Sequence, residues 1–110
     1  MTQDEVDLIY DYLHENYEYE STGNLIAKKD IKHSKRMGEP LGGFFYQGRG
    51  GSPKIRASIR CNGYNFRFPL SHFIWIFNYR EKPKYVHHID LNPINCRIEN
   101  LKNSTLTEFQ

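Results

Sequence analysis

The fold is organised around one stretch of sequence, Tyr85-Val-His-His-Ile-Asp-Leu-Asn-Pro-Ile-Asn-Cys-Arg-Ile-Glu-Asn-Leu-Lys102. Its first part, from Val86 to Ile89, predicts a short strand, which a polar loop and a second short extended piece follow. The strand carries two adjacent histidines, and successive side chains of a strand point to opposite faces. The two therefore cannot share one task. One can bind a metal ion while the other handles a proton, because imidazole is a common metal ligand and titrates near neutrality.

The N-terminal segment predicts an amphipathic helix with an acidic surface. Thr2 and Glu5 have the spacing of a capping box, and apolar side chains follow at helical intervals, which predicts a helix over residues 3–16. Residues 1–20 hold seven Asp and Glu and no Lys or Arg. We expect the apolar face to pack on the domain. The acidic face is an alternative candidate for a surface that binds a protein partner or inhibits the chain itself.

The rest of the chain is basic, with fifteen Lys and Arg against six acids, a net charge of +9. Such a surface suits a phosphate backbone, although basic surfaces also occur on proteins that bind no nucleic acid. The length of 110 residues predicts one domain. The absence of a long apolar run or a signal-peptide pattern predicts a cytoplasmic protein with no membrane partner. Cys61 and Cys96 are isolated, which predicts free thiols rather than a zinc ribbon or a disulfide framework.

The segment before residue 54 predicts a hairpin, a basic loop and a glycine-rich region. The pattern from Tyr17 to Lys28 predicts a hairpin with its turn at residues 21–24. Lysines and one arginine then cluster, and this cluster is either a solvated loop or a loop that contacts phosphates. Six of the eight glycines lie in residues 38–51, which predicts a loop or a bulged strand there.

Residues 55–68 predict the clearest hairpin. Apolar and polar side chains alternate from Ile55 onwards, and Asn62-Gly63 is the turn signal. One face is therefore apolar, and the other presents arginines that either contact DNA or are exposed without a ligand. After the hairpin, Ser71 is expected to cap a short helix from His72 to about Tyr79.

The run from His87 to Leu101 resembles the motif of the HNH endonucleases, nucleases built on a ββα-metal finger. Phage and homing-type members carry a pattern like [D/H]-H-I-D-x-N-x-x-N-N-R-x-E-N-L, and the break within it here is Cys96, where a second Asn is usual. Two other stretches are similar to the same family. These are the Thr-Gly of the first hairpin and Ser71–Trp75, which resembles H-R-x-x-W with Phe73 in place of Arg.

The resemblance implies a fold of the α+β class. An N-terminal helix and β-hairpins would pack with a C-terminal ββα-metal (His-Me) finger in a single domain, residues 1–110. The acidic helix would occupy residues 1–20, a basic β-rich DNA-binding part residues 21–70, and a helix plus the finger residues 71–110. A cytoplasmic location would be that of a bacterial or phage-infected cell.

The resemblance also implies roles for individual residues in a metal-dependent DNA endonuclease that hydrolyses phosphodiester bonds. His88 matches the general base, His87 matches the ligand of one divalent ion, and Asn100 matches the middle Asn, which holds the loop and aims the base. Loop-stabilising roles fall to Asp90, Asn92 and Asn95. Mg²⁺ or Mn²⁺ is expected, and an imidazole ligand also tolerates Zn²⁺ or Ni²⁺. His72 is expected to be structural or to support the site rather than bind the ion.

With DNA as the implied partner, we expect the basic side chains to contact its backbone. These residues are Lys28, Lys29, Lys32, Lys35, Arg36, Arg49, Arg56, Arg60, Arg67 and Arg97.

The family's third residue, an Asn or His that completes the metal site, falls on Phe109 of this chain, which cannot bind a metal ion. Thr105 and Glu108 predict a capping box that opens the finger's final helix, so the chain is expected to be truncated or to have a short or missing helix. Two functions follow as hypotheses. One is the HNH endonuclease, and the other is a weak or inactive DNA-binding relative that inhibits or competes with a nuclease.

Overall fold

The computed structural model describes residues 1–45 and 54–104, in which two helices accompany three small antiparallel sheets. This confirms the predicted α+β class. The elements in order are α1 (Gln3–Asn16), β1 (Tyr17–Glu20), β2 (Asn24–Ala27), β3 (Gly43–Phe45), β4 (Lys54–Cys61), β5 (Tyr64–Pro69), α2 (Leu70–Tyr79), β6 (Tyr85–His88), a 3₁₀ turn (Ile98–Asn100) and β7 (Leu101–Ser104).

Helix α1 begins and ends where the sequence predicts. The Thr2 hydroxyl accepts a hydrogen bond from the backbone N–H of Glu5 at 3.2 Å, and the Glu5 carboxylate accepts one from the N–H of Thr2 at 2.8 Å. The capping box is thus confirmed. The apolar face of α1, which includes Val6, Ile9 and Leu13, is fully buried.

The acidic face of α1 is outside the core and forms exposed ion pairs. The Asp7 carboxylate accepts a hydrogen bond from Arg80 at 2.9 Å, and Glu15 lies 3.6 Å from the Lys29 ammonium. Exposed pairs of this kind contribute little to stability because water screens them.

The two predicted hairpins are present. Strands β1 and β2 pair from Tyr17↔Ala27 to Glu20↔Asn24, and β4 and β5 pair from Arg56↔Pro69 to Cys61↔Tyr64. The second turn is Asn62-Gly63, and both residues have positive φ, 52° and 82°, as a two-residue turn of this class requires. Strand β3 adds to the other edge of β4 over residues 54–56 and leaves the rest of that edge uncovered by a strand among the described residues.

Helix α2 lies at the centre of the core and contacts α1 and strands of all three sheets. Its buried face includes Leu70, Phe73 and Ile74, each with no exposed surface. The prediction that Ser71 caps this helix is wrong: the helix begins at Leu70, and Pro69 precedes it with no capping hydrogen bond from a side chain. Leu70 is helical because its side chain fills the core, and this burial takes precedence over the capping preference of Ser71.

Strands β6 and β7 pair from Tyr85↔Ser104 to His88↔Leu101 and enclose the loop of residues 89–97. The predicted glycine-rich loop lies partly, and the predicted final helix at 105–108 wholly, outside the described residues. Within the described residues, neither helix is long and apolar enough to cross a membrane.

Candidate functional site

The loop between β6 and β7 is closed by the side chain of Asn100. Its Oδ1 accepts a hydrogen bond from the backbone N–H of Asp90 at 3.1 Å. Its Nδ2 donates to Oδ1 of Asp90 at 2.8 Å and to the carbonyl oxygen of Asn95 at 2.9 Å. One amide group therefore joins the start of the loop to its far side. The backbone adds a bond from the N–H of Ile89 to the carbonyl of Asn100 at 2.8 Å.

Asp90 is the second residue whose side chain closes this loop. Its carboxylate also accepts hydrogen bonds from the Asn95 side chain at 2.9 Å and from the backbone N–H of Asn92 at 2.9 Å. The bonds from Asn95, Asn92 and Asn100 lower the pKa of Asp90 below its ordinary value, because they stabilise the charged form. Asn92 in turn accepts a bond from the N–H of Ile94 at 3.3 Å. The three side chains expected to stabilise the loop thus bond within it.

His88 lies at the end of β6, half-buried, and its Nε2 is 3.6 Å from Sγ of Cys96. Burial lowers the pKa of His88, the Asp90 carboxylate raises it in part, and His87 lowers it again. The imidazole is therefore neutral near pH 7 and able to accept a proton. Burial also raises the pKa of Cys96 to about 11, so that its side chain is a thiol at the same pH.

A cavity of about 240 Å³ opens beside His88, and we call it the histidine pocket. A second histidine, His72 at the start of α2, lines it, and the Nδ1 of that ring is buried with no hydrogen-bond partner among the described residues. Burial lowers the pKa of His72, so this ring too is neutral. The lining consists of Lys54, Ile55, Pro69, Ser71, His72, Val86, His88, Pro93 and Cys96.

His87 faces away from the histidine pocket. It pairs with Lys102 across the β6–β7 ladder, whereas His88 pairs with Leu101, so the two rings lie on opposite faces as the sequence predicts. Among the described residues, no group of three His, Cys, Asp or Glu side chains is close enough to hold a metal ion. The described residues therefore do not fit a complete metal site, and the position predicted for the third ligand, Phe109, lies outside them.

The hairpin of β1 and β2 contacts the loop of residues 89–97, which we call the site loop. The backbone N–H of Ile98 donates to the hydroxyl oxygen of Tyr19 at 2.9 Å. Gly23, with φ +94°, lies so close to the loop that an added Cβ would be 2.5 Å from the nitrogen of Arg97 and 2.7 Å from the carbonyl carbon of Cys96. Arg97 thus contributes its backbone to this contact, and its side chain is exposed.

Half of the predicted DNA-binding residues converge on one groove. Two adjoining cavities of about 610 and 550 Å³ lie between the outer face of β4–β5 and the loop of residues 31–35. They share His33, Ser34 and Ser58, and we call the pair the basic groove. The cations that line it are Lys32, Lys35, Arg56, Arg60 and Arg67.

Of the other predicted DNA-binding residues, the four that the structure describes do not line this groove. Lys28, Lys29 and Arg36 lie outside both cavities, and Lys29 pairs with Glu15. Arg97 lies on the site loop, and Arg49 is outside the described residues.

Sequence reasoning missed several residues of this site. Lys54 lines the histidine pocket, Cys96 contacts His88, and Tyr19 and Gly23 hold the loop. The Thr-Gly of the first hairpin was the one local signal for Gly23. No local pattern indicates the partners of Lys54 and Tyr19, because those contacts join distant parts of the chain, and Cys96, eight residues after His88, stands in the motif as a departure from it.

Comparison with known proteins gives no relative. No protein-family model, curated protein or solved structure matches this chain. The HNH resemblance therefore depends on the motif residues themselves, and it remains a prediction.

Proposed function

We propose that this protein is an HNH-type DNA endonuclease in which His88 is the general base for phosphodiester hydrolysis. The observation that carries the proposal is the closure of the loop by Asn100, which occupies the middle motif position and bonds to both Asp90 and Asn95. A base must be held in one orientation to be effective. A loop fixed by one amide directly after the histidine strand meets this need. The finer fold assignment, a ββα-metal finger, is part of the same proposal.

In the proposed reaction, water attacks the phosphorus and the bond from phosphorus to the departing 3′ oxygen of deoxyribose breaks. The neutral His88 ring takes a proton from the attacking water, and the departing oxygen gains a proton from solvent. The Cys96 thiol donates to the Pro93 carbonyl at 3.9 Å, so we assign the ring hydrogen of His88 to Nε2, which faces Sγ of Cys96, and the proton-accepting lone pair to Nδ1. General base catalysis of this kind typically accelerates a reaction by about 10²–10⁴-fold.

The proposal includes one divalent ion, with His87 as a ligand, but the described residues provide no complete set of ligands for it. Mg²⁺ and Mn²⁺ are the first candidates, and Zn²⁺ and Ni²⁺ suit an imidazole ligand. The metal requirement is best measured directly. Plasmid cleavage is compared with each ion and with a chelator, and a strict requirement for an ion is the expected result.

DNA is the proposed substrate because the chain beyond residue 20 has a net charge of +9 and concentrates five cations along one groove. Phosphate contacts supply most of the affinity in non-specific DNA binding. The groove and the histidine pocket lie on the same hairpin, so bound DNA would be close to His88.

The decisive experiment is plasmid cleavage by the wild-type protein and by His88→Ala and His88→Gln. Both variants should lose about 10²–10⁴-fold in rate and retain DNA affinity, because a base acts in the transition state and adds little to ground-state binding. Unfolding curves of both variants provide the folding control. Cleavage at the wild-type rate in the folded variants would contradict the proposal.

A second candidate is a DNA-binding relative that does not cut, as an inhibitor or competitor of a nuclease. The observation that favours it is the lack of a three-ligand group among the described residues. Tight, salt-dependent DNA binding with no cleavage in any of the four ions would support this second function and refute the first.

A further inference from the structure

Strand β4 passes three cavities in a fixed order, and from this order we infer the path of bound DNA. We propose that the backbone of duplex DNA lies in the basic groove along β4, with the histidine pocket at one end, so that the protein contacts DNA mainly on one side of the cut. The groove assignment stands by itself, and the position of the cut rests on the proposed function.

The order of the cavities follows from the residues of the β4–β5 hairpin. Lys54 and Pro69 line the histidine pocket together with His88. The next residues along both strands, Arg56 and Arg67 among them, line the larger cavity of the basic groove. Arg60 and Asn65 line the smaller one, and these two residues are partners in the ladder. From the histidine pocket, the paired residues of β4 and β5 therefore lead first to the larger and then to the smaller cavity of the basic groove.

The groove has the charge that a phosphate backbone requires. Among the described residues, neither of its cavities has an Asp or Glu in its lining. In β4 the exposed side chains alternate with buried ones, so Lys54, Arg56 and Arg60 lie on one face of the strand. Of the groove cations, Lys32, Lys35, Arg60 and Arg67 take part in neither of the ion pairs seen between described residues, Lys29–Glu15 and Arg80–Asp7. The opposite wall adds Lys32 and Lys35 from the loop that precedes β3.

The lining favours a duplex backbone over a single strand. Proteins that bind single strands offer exposed aromatic rings on which bases stack. Among the described residues, the aromatic rings of the lining are those of Tyr12 and Phe68, both partly buried against the core, and the exposed imidazole of His33, a single ring rather than a row of stacking platforms. The remaining polar groups, such as Ser34, Ser58 and Asn65, are hydrogen-bond donors of the kind that contact phosphates.

The length of the path sets the size of the footprint. From Lys54 to Arg60, a strand rising about 3.4 Å per residue covers about 20 Å. One strand of B-DNA carries a phosphate every 3.4 Å or so along the helix axis, so a path parallel to that axis spans about six base pairs. If His88 cuts at one end of the path, the cut requires about six base pairs of duplex on one side and few on the other.

The groove is tested by two matched variants. Lys32→Ala/Lys35→Ala removes two lysines from the groove, and Lys28→Ala/Lys29→Ala removes two lysines of the same segment that do not line it. Both lower the net charge equally, so any difference reports local contact. The logarithm of the affinity for a 20-base-pair duplex is measured against that of the salt concentration. Each lost phosphate contact reduces the slope by about 0.9, so a change of up to about 1.8 is expected for the groove variant alone.

Equal slopes for the two variants would overturn the groove assignment. Arg60→Ala/Arg67→Ala tests the wall formed by β4 and β5 and should also lower the slope of affinity against salt concentration. A single-stranded oligonucleotide of the same length is measured in parallel. It should bind more weakly, and equal or tighter binding would overturn the duplex assignment.

The position of the cut is tested with end-labelled duplexes. Cuts should occur up to one end of a duplex but no closer than about six base pairs to the other end. Cuts equally close to both ends would overturn the one-sided path. If no cleavage occurs with any of the four ions, the proposed function and the position of the cut both fail. The groove is still decided by the salt slopes.

Discussion

Replacing Gly23 by alanine should disturb the site loop from outside the site. Gly23 has φ +94°, and a Cβ there would lie 2.5 Å from the backbone nitrogen of Arg97, where ordinary contact begins at 3.4 Å. Gly63 is a matched control because it also has positive φ, +82°, but no atom lies within 4 Å of its added Cβ. Gly63→Ala therefore has only a conformational cost, whereas Gly23→Ala has the same cost and a steric overlap with backbone.

The difference between the two variants can be given a magnitude. A left-handed alanine costs about 1–2 kcal/mol. Overpacking against atoms that cannot yield adds about 1–3 kcal/mol, because the backbone of Cys96 and Arg97 must move. Gly23→Ala should thus lose about 2–5 kcal/mol of unfolding free energy, and Gly63→Ala about 1–2 kcal/mol. In a domain of this size about 1 kcal/mol corresponds to a shift of roughly 4–8 °C in melting temperature.

Urea unfolding of both variants is the assay, with plasmid cleavage and DNA binding measured on the folded protein. Gly23→Ala should reduce cleavage and leave DNA binding nearly unchanged, since the moved backbone carries Cys96, which contacts His88. Equal losses of stability in the two variants would refute the close approach of the hairpin to the loop.

Three further changes test the core, the loop anchor and the buried histidine. Tyr19→Phe leaves the N–H of Ile98 without its acceptor and should cost about 1–3 kcal/mol in urea unfolding; a loss of only about 0.2 kcal/mol would mean that water replaces the hydroxyl. Phe73→Ala, at a site with no exposed surface, should cost about 3–5 kcal/mol, whereas Leu91→Ala, 88% exposed, should change stability by less than about 0.5 kcal/mol; equal losses would contradict the packing. Burial lowers the pKa of His72, so as pH falls the unfolded chain binds a proton at this ring before the folded chain does. The contribution of His72 to the free energy of unfolding should be full above about pH 6.5 and decrease below it. The decrease should be smaller in His72→Gln. An identical pH dependence in that variant would show that other groups cause the decrease.

The parts of the fold that the sequence predicts are those that depend on contacts between residues close together in the chain. The capping box of Thr2 and Glu5 and the Asn62-Gly63 turn depend on contacts within a few positions, so the sequence pattern alone predicts them. The start of α2 is different. Ser71 is a good capping residue by its type, yet Leu70 is helical because the core needs its side chain, and that need is visible only in three dimensions.

The candidate site shows the same division. The motif predicted that His87 and His88 face opposite ways and that Asp90, Asn92 and Asn95 bond within the loop, because those contacts span few residues. The motif did not predict the neighbours of His88. Cys96 reads in the sequence as a break in the motif, and the structure adds a contact between its sulfur and the ring. The pocket wall at Lys54 depends on how the hairpin, α2 and β6 pack.

The bond between Tyr19 and Ile98 joins residues 79 positions apart, and this separation matters while the protein is being made. During synthesis the first hairpin leaves the ribosome long before the segment that it supports. Contacts of such long range also form late in folding, since closing a large loop has an entropic cost. The site loop therefore cannot be held in place on a half-finished chain. Under the proposed function, a nascent chain with its basic segments already exposed would bind nucleic acid before it could cut, because cutting would await the release of residues 96–100.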